Sequence, residues 1–567
     1  MAHLGKTYTI FGFTSPRTVE KIFPEVQLLI DGFSGQVWNT ATQRAFFEKL
    51  FVSDFYEGKE RPADTAFAGR DRITRAPKAL GFVDLKPVIK LTSAGEQLLS
   101  GKRTNEVLTR QLLKFQLPSP YHVSPKGATR VFNVRPYLEL LRMVKEIGNI
   151  SKTEIAIFFV KLIDYKDFDR IKAEIEAYRV AYKSETGNKK AFTDAVFDEE
   201  LSKVYAEEID KERFKGRQDN DTTKQQLLDR KKNNHTDYAD ALIRYLRATQ
   251  LISFDRNFRV IMSPARSAEA DYILSTIPRE VLTFKNEKEF KEYLFDPFNI
   301  ELFSDNKANI ETRLNAIGIQ YDRAASVEEL KNVLDEGEVQ KLTETIQKTE
   351  QGLKNYKEFD DIIDIFDKIR QKEIPDPSLY LEWNVWRAMV MMNYAKRVQG
   401  NFRLDLDGLP LSTAGAKLPD IEIDYEGFKV IVEVTMSSGQ KQYEMEGEPV
   451  PRHFGVVDRS TTEPVYCLFI APKISEGTLS HYFGLNNKSP KYYSKAKTAS
   501  ERRTNIIPMS VEHFRDFITT AKDKGFDDPG NLKSYLDSVL TEGRKLDDEE
   551  VWLGSIQKSV TAWIKGS

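Results

Sequence analysis

Two carboxylates bracket a pair of short apolar segments in the last third of this chain, and that pattern restricts the local fold more than any other. Asp420 follows Pro419 and opens the segment 421–425; a turn at Glu426-Gly427 leads into 428–434, which carries Glu433 next to its end. Two strands joined by so short a turn pair antiparallel, and the pairing brings Asp420 and Glu433 side by side at one sheet edge. The backbone after Glu433 faces the same place, so the Val434 carbonyl is a third oxygen there. Oxygen donors grouped in this way suit a hard divalent cation such as Mg²⁺. On this reading Asp420 and Glu433 are direct metal ligands and Val434 joins them through its carbonyl. A plain β-hairpin with two exposed acids fits the same string.

The flanking sequence adds to the pattern. Pro-Asp, twelve intervening residues and Glu-Val-Thr resemble the PD-(D/E)xK nuclease motif, with Thr435 where that motif has Lys. Downstream, Thr435-Met436-Ser437-Ser438-Gly439-Gln440 continues through Glu446-Gly447-Glu448-Pro449 into Val450-Pro451-Arg452-His453-Phe454-Gly455. Upstream lies Leu379-Tyr380-Leu381-Glu382-Trp383-Asn384-Val385-Trp386-Arg387. Thr14-Ser15-Pro16-Arg17-Thr18, the run from Arg70-Asp71-Arg72 to Ala79-Leu80-Gly81-Phe82, and Lys114-Phe115-Gln116-Leu117-Pro118 belong to the same pattern. Together these resemble the type IIS restriction and nicking endonucleases of the AlwI-like group, most closely PleI, MlyI and BstNBI. The resemblance runs in order along nearly the whole chain and is weakest across 183–234.

The resemblance implies a multidomain α+β protein. N-terminal winged-helix or helix-turn-helix domains bind DNA, a helical linker follows, and a C-terminal α/β domain of the PD-(D/E)xK type cuts with Mg²⁺. It implies that Glu382, on the helix before the strands, completes the site, although a surface acid on an amphipathic helix fits that position too. Thr435 cannot supply a full positive charge to offset the charge that grows on the phosphate. The resemblance assigns assistance to Glu446, as proton acceptor or ligand of a second ion, and to His453, as water-orienting group or donor to phosphate. Lys441 and Arg452 are further cationic candidates. The implied partners are double-stranded DNA, a transient homodimer formed through the catalytic domain, and a cognate DNA methyltransferase. The implied recognition site is GAGTC.

Composition sets wider bounds. A chain of 567 residues with 40% hydrophobic and 30% charged residues builds two to four globular domains. No apolar run reaches the roughly 18 residues of a membrane span, and Met1-Ala2-His3-Leu4-Gly5-Lys6 lacks the apolar core of a secretory signal. The single cysteine, Cys467, lies in an apolar run and reads as a buried strand residue. These features point to a cytoplasmic protein with no membrane partner. The net charge of −2 opposes general nucleic-acid binding, yet cations cluster locally. Residues 66–90 hold Arg70, Arg72, Arg75, Lys78, Lys86 and Lys90 against Asp71 and Asp84. The sequence contains no phosphate-binding P-loop, no GxSxG elbow and no zinc-type cysteine spacing. His3, His122, His235, His481 and His513 show no metal-ligand spacing.

Four regions follow. Residues 1–125 form a DNA-recognition domain: a basic helix over 66–80, kinked or broken near Pro77 and ended at Gly81, then strands 82–84 and 88–91, then a helix from Thr92. That order suggests a winged-helix unit with Arg70, Arg72, Arg75 and Lys78 facing DNA; a solvated helix face is the alternative. Residues 126–300 form a second such domain, with a helix over 136–148, a capping box at Ser151-Lys152-Thr153-Glu154, a helix over 238–249 and a hairpin of 251–254 with 258–262. Residues 183–234 are long helices or a mobile insert. Residues 301–374 are a helical linker. Residues 375–567 are the catalytic domain, with a helix over 378–399, strands 402–406, 421–425, 428–434, 465–470 and 505–509, and helices 511–522, 529–540 and 549–564. A double-strand cutter, a strand-specific nickase and a non-catalytic DNA-binding protein all remain open on this reading.

Overall fold

The computed structural model describes residues 2–565 apart from 54, 57–60, 126, 129, 216–220, 372, 393–394, 414–417 and 525–528. The chain is a helix-rich α+β protein of two compact units, Met1–Glu338 and Val339–Ser567. The division falls inside one long helix, Val327–Leu353.

In the first unit, helix Thr65–Thr74 stops at Arg75 and a short helix, Ala76–Ala79, follows with Pro77 in its first turn. Proline lacks the N–H that would continue the ladder and its ring clashes with the preceding turn, so the break falls just before it. The hairpin Val83–Asp84 with Lys90–Leu91 comes next, then helix Ser93–Leu99, whose start is capped by the Thr92 hydroxyl accepting from Gly95 N–H. The capping box is formed: Ser151 and Glu154 exchange bonds with each other's backbone at the head of helix Lys152–Ile157. A three-stranded sheet joins Asn149–Ile150, Val260–Met262 and Ile252–Phe254.

The described part of 183–234 is mainly helical, with loops between its helices, and helix Lys224–Arg247 begins well before the expected 238. Residues 216–220 lie outside the described residues. Residues 301–338 pack into this unit. The Arg110 guanidinium donates to both oxygens of Asp305 at 2.7 and 2.6 Å, Lys331 donates to Asp305 at 2.6 Å, and Ile310, Leu314, Leu330 and Leu334 form a buried cluster.

The second unit is built on one mixed sheet. Its strands are β1 (Arg397–Gly400), β2 (Ile421–Asp424), β3 (Lys429–Val434), β4 (Val465–Ala471) and β5 (Ile506–Ser510). The order is β5-β4-β3-β2-β1, with β3, β4 and β5 parallel and β2 antiparallel to both of its neighbours. β4 is buried along its whole length, and Cys467 within it pairs with Ile431 and is fully buried. Helices α1 (Pro377–Met391), α3 (Pro449–Ser460) and α4 (Glu476–Asn487) pack on the sheet, and the short α2 (Gln440–Glu446) packs on α3 and α4.

Two sequence expectations are corrected here. The helix expected over 378–399 ends at Met391, and Arg397–Gly400 is the edge strand β1. A helix there would leave the outer edge of β2 unpaired, and the ladder Ile421↔Gly400 to Asp424↔Arg397 satisfies those groups instead. The strand expected at 402–406 shrinks to Arg403–Leu404, which pairs with Pro410–Ser412 outside the main sheet.

Candidate active site

The β2–β3 hairpin has the register Ile421↔Val432, so the next pair outward is Asp420 opposite Glu433. Asp420 is fixed from both sides. Its Oδ2 accepts from Val434 N–H at 2.7 Å. Its carbonyl accepts from Asn401 N–H at 2.9 Å, and the Asn401 amide donates to the Pro419 carbonyl at 2.7 Å. Along a strand, the N–H and C=O of one residue point to the same edge. Val434 N–H faces Asp420, while Thr435 N–H turns the other way to Ile470 O at 3.0 Å. The Val434 carbonyl therefore opens on the Asp420 side, beyond the end of β2.

Glu433 is buried and its Oε1 lies 2.8 Å from Nδ1 of His453, also buried, on α3. The ring nitrogen is the donor when the carboxylate is ionised. Gly439, at φ 59° and ψ −150°, turns the chain from β3 into α2 in a conformation that side chains rarely adopt. The buried Gln442 amide then braces the turn. Its Nε2 donates to Ser437 O and Lys473 O, both at 2.8 Å, and its Oε1 accepts from Ser475 N–H at 2.8 Å. The end of α2 is held by Tyr482 Oη donating to Glu446 O at 2.9 Å and His481 Nε2 donating to Gly447 O at 2.8 Å. Nothing in the sequence marked Gln442, His481 or Tyr482 as positioning groups. Their partners are carbonyls supplied by the turns of the fold.

The electrostatics fit this convergence. Burial pushes the Asp420 carboxyl well above the usual range, the Glu433 charge pushes it further, and Glu446 adds to it; Val434 N–H and His453 oppose the shift. Burial also raises Glu433, with Glu446 adding to the effect and Arg452 opposing it. Asp420, Glu433, Glu446 and His453 thus share one region.

As a donor set, the two adjacent carboxylates and the Val434 carbonyl are hard oxygen ligands whose mutual repulsion a divalent cation offsets. Among the described residues no group of three or more His, Cys, Asp and Glu side chains stands at metal-holding spacing. Glu382 is buried on α1, which packs against β1 and β3. Thr435 is buried and its Oγ1 accepts from Ser437 N–H at 3.1 Å, so it serves the turn. Arg452 is half-buried, with Nε 3.2 Å from Glu448, and Lys441 is exposed.

In the first unit the four cations assigned to DNA have different surroundings. Arg70 is exposed, with its guanidinium 5.0 Å from the Phe67 ring centroid. Arg75 is exposed and bonded to Asp71 at 2.6 Å and to the Thr14 hydroxyl. Arg72 turns inward onto the buried Glu25 and covers the Tyr56 ring. Lys78 stands over the Tyr121 ring at 4.3 Å, and burial lowers its pKa. Residues two apart on a helix differ by about 200° in direction, so Arg70 and Arg72 cannot share a face.

The chain matches the AlwI restriction endonuclease family over residues 78–517. That class comprises sequence-specific DNA endonucleases, which act on duplex DNA. The chain belongs to the AlwI restriction endonuclease family. It is similar to the small subunit (R.BspD6I2) of the heterodimeric restriction endonuclease R.BspD6I, with 28% identity and TM-score 0.29 over 34% of this chain and 97% of that one. It is also similar to the BpuJ1 endonuclease binding domain, solved with pyrene- and phenanthrene-modified DNA, with 14% identity and TM-score 0.32 over 51% of this chain and 96% of that one. At these TM-scores neither likeness bears on function. Among curated proteins none matches the chain. Among the described residues no helix is long and apolar enough to cross a membrane.

Proposed function

We propose that this protein is a Mg²⁺-dependent type IIS endonuclease of the PD-(D/E)xK kind. It recognises a short asymmetric duplex site, GAGTC by resemblance, and hydrolyses phosphodiester bonds a few bases to one side. The observation that carries this reading is the placement of Asp420 beside Glu433, with the Asp420 carboxylate fixed by Val434 N–H at 2.7 Å. Asp420, Glu433 and the Val434 carbonyl would hold Mg²⁺, which polarises the phosphate and lowers the pKa of a bound water. His453 Nδ1–H holds one oxygen of Glu433 and so orients the carboxylate. Glu446 accepts the proton from the attacking water. His453 and Arg452 supply the positive charge that Thr435 cannot, and Glu382 closes the site from α1.

Recognition belongs to residues 1–125 and 126–300, with a winged-helix unit around Arg70, Arg72, Arg75 and Lys78. Arg70 and Arg75 are exposed, which supports them as the phosphate contacts; Arg72 and Lys78 hold the unit together. Residues 301–374 link this reader to the catalytic residues 375–567. One carboxylate pair per chain cuts one strand per encounter, so cutting both strands uses a transient homodimer through the catalytic domain. A cognate DNA methyltransferase protects the host site. The same single pair supports a second reading, a strand-specific nicking endonuclease. Incubation of the protein with plasmid and Mg²⁺ separates the outcomes. Linear product supports the first reading, open circles the second, and uncut plasmid a DNA-binding protein without catalysis. Sequencing the ends gives the site.

A further inference from the structure

One loop of the second unit is rich in cations and poor in acids. Residues 488–503 carry Lys488, Lys491, Lys495, Lys497, Arg502 and Arg503 against a single acid, Glu501, in a chain of net charge −2. Two of the six build the loop. Arg502 donates to the carbonyls of Ala496 at 3.2 Å and Lys497 at 2.8 Å, and its own carbonyl accepts from Ser489 N–H at 2.9 Å, closing the base. Lys495 ties the loop to α3: its backbone N–H donates to Asp458 at 2.7 Å, and its ammonium reaches Asp458 at 3.3 Å and the carbonyls of Thr461 and Glu463. The other four, Lys488, Lys491, Lys497 and Arg503, are exposed, and their side chains make no ion pair or hydrogen bond among the described residues.

The loop rests against the helix that carries His453. A Cβ on Gly455 would fall 2.7 Å from the Tyr492 carbonyl oxygen and 2.8 Å from Tyr493 Cα, so the glycine lets the two backbones touch. Gly455 is two residues from His453, which turns it about 200° away around the helix. His453 therefore faces Glu433 and the loop lies across α3 from the carboxylates. A helix is roughly 10 Å across, or about three nucleotide rises on one strand at 3.4 Å each. Tyr492 is exposed on the same loop, under the Arg459 guanidinium at 5.3 Å. A self-braced loop with four uncompensated cations repels itself in solution, and a polyanion of regular charge spacing relieves that cost.

We propose that loop 488–503 is a sequence-independent clamp for duplex DNA, in which Lys488, Lys491, Lys497 and Arg503 contact phosphates a few nucleotides from the scissile bond. The proposal rests on the endonuclease reading above, and cleavage of plasmid by the wild-type protein checks that reading separately. The clamp is tested by binding of the full chain to a random-sequence duplex of several helical turns without Mg²⁺, which requires neither cleavage nor knowledge of the site. Affinity is followed from about 50 to 200 mM salt for the wild type and for two fourfold variants. One carries Lys488→Gln, Lys491→Gln, Lys497→Gln and Arg503→Gln; the other exchanges each Lys for Arg and Arg503 for Lys.

Each phosphate contact contributes about 0.9 to the slope of log affinity against log salt. The neutral variant is expected to show a slope shallower by about 2 to 4, with affinity at least roughly tenfold weaker at the lower salt, and the charge-conserving variant to match the wild type. Single Lys491→Glu and Lys497→Glu variants, which disturb none of the loop's bonds, give the same effect at about one slope unit each. An unchanged slope in the neutral and the single variants overturns the proposal. So does an equal loss in the charge-conserving variant. A change in sedimentation with unaltered DNA binding overturns it as well, and assigns the loop to contact between protein copies.

Discussion

His453 Nδ1 lies 2.8 Å from Oε1 of Glu433, and both side chains are buried. The bond joins α3 to the carboxylate at the end of β3 through Oε1 of Glu433. His453→Ala should lower single-turnover cleavage by about 10²- to 10³-fold, the range for losing one positioned group that stabilises developing charge, with DNA binding unchanged. Cleavage within threefold of wild type would reduce the histidine to a packing role.

Thr435 stands where the resemblance to the PD-(D/E)xK motif implies a lysine, yet its hydroxyl is engaged by Ser437 N–H. Thr435→Val should therefore keep most of the cleavage rate and lose about 1 kcal/mol of stability, the worth of one ordinary hydrogen bond. Denaturant unfolding paired with a cleavage assay separates the two effects. A loss of cleavage comparable to that of the His453 variant would place the hydroxyl in the chemistry.

Arg72 and Arg70 should behave oppositely. Burial pushes the Glu25 carboxyl up to about 7 even with Arg72 beside it. Arg72→Ala leaves that carboxyl buried without its partner and should destabilise the first unit by roughly 3 kcal/mol. Arg70→Ala should leave the melting temperature unchanged, weaken DNA binding and reduce the salt slope by about one. Equal effects of the two substitutions on binding, with no change in melting, would contradict the inward placement of Arg72.

His235 supplies a pH dependence within the first unit. Its Nδ1 donates to Ala156 O at 3.0 Å and its Nε2 accepts from Tyr205 Oη at 2.9 Å, a neutral ring satisfied at both ends. Burial lowers its pKa to about 4. A depressed folded-state value means that stability is present above the unfolded value near 6.5 and is lost as pH falls towards 4. At 1.36 kcal/mol per unit this amounts to roughly 3 kcal/mol across that window. Melting curves of wild type and His235→Gln between pH 4 and 7 should converge at the acid end. Parallel curves would show that the ring is not the titrating group.

The carboxylate pair was legible in the sequence because it depends on local order. A tight turn between two apolar strands fixes the register, and the register fixes Asp420 opposite Glu433. The capping box at Ser151 and Glu154 was legible for the same reason, since both partners lie within one turn. Arg397–Gly400 was not, because those residues continue a plausible helix until β2 requires an edge partner. The inward turn of Arg72 depends on Glu25, 47 residues earlier, and the role of Gln442 on Lys473 and Ser475, just past the neighbouring strand β4. Such partners come together only when the chain has folded, and no spacing rule anticipates them.

Asp420→Ala and Glu433→Ala, each assayed for plasmid cleavage with Mg²⁺ alongside DNA binding, put the carboxylate pair to the test. Each variant should bind DNA as the wild type does and leave plasmid uncut, neither nicked nor linear. Full cleavage by either variant in Mg²⁺ would remove this pair from the chemistry.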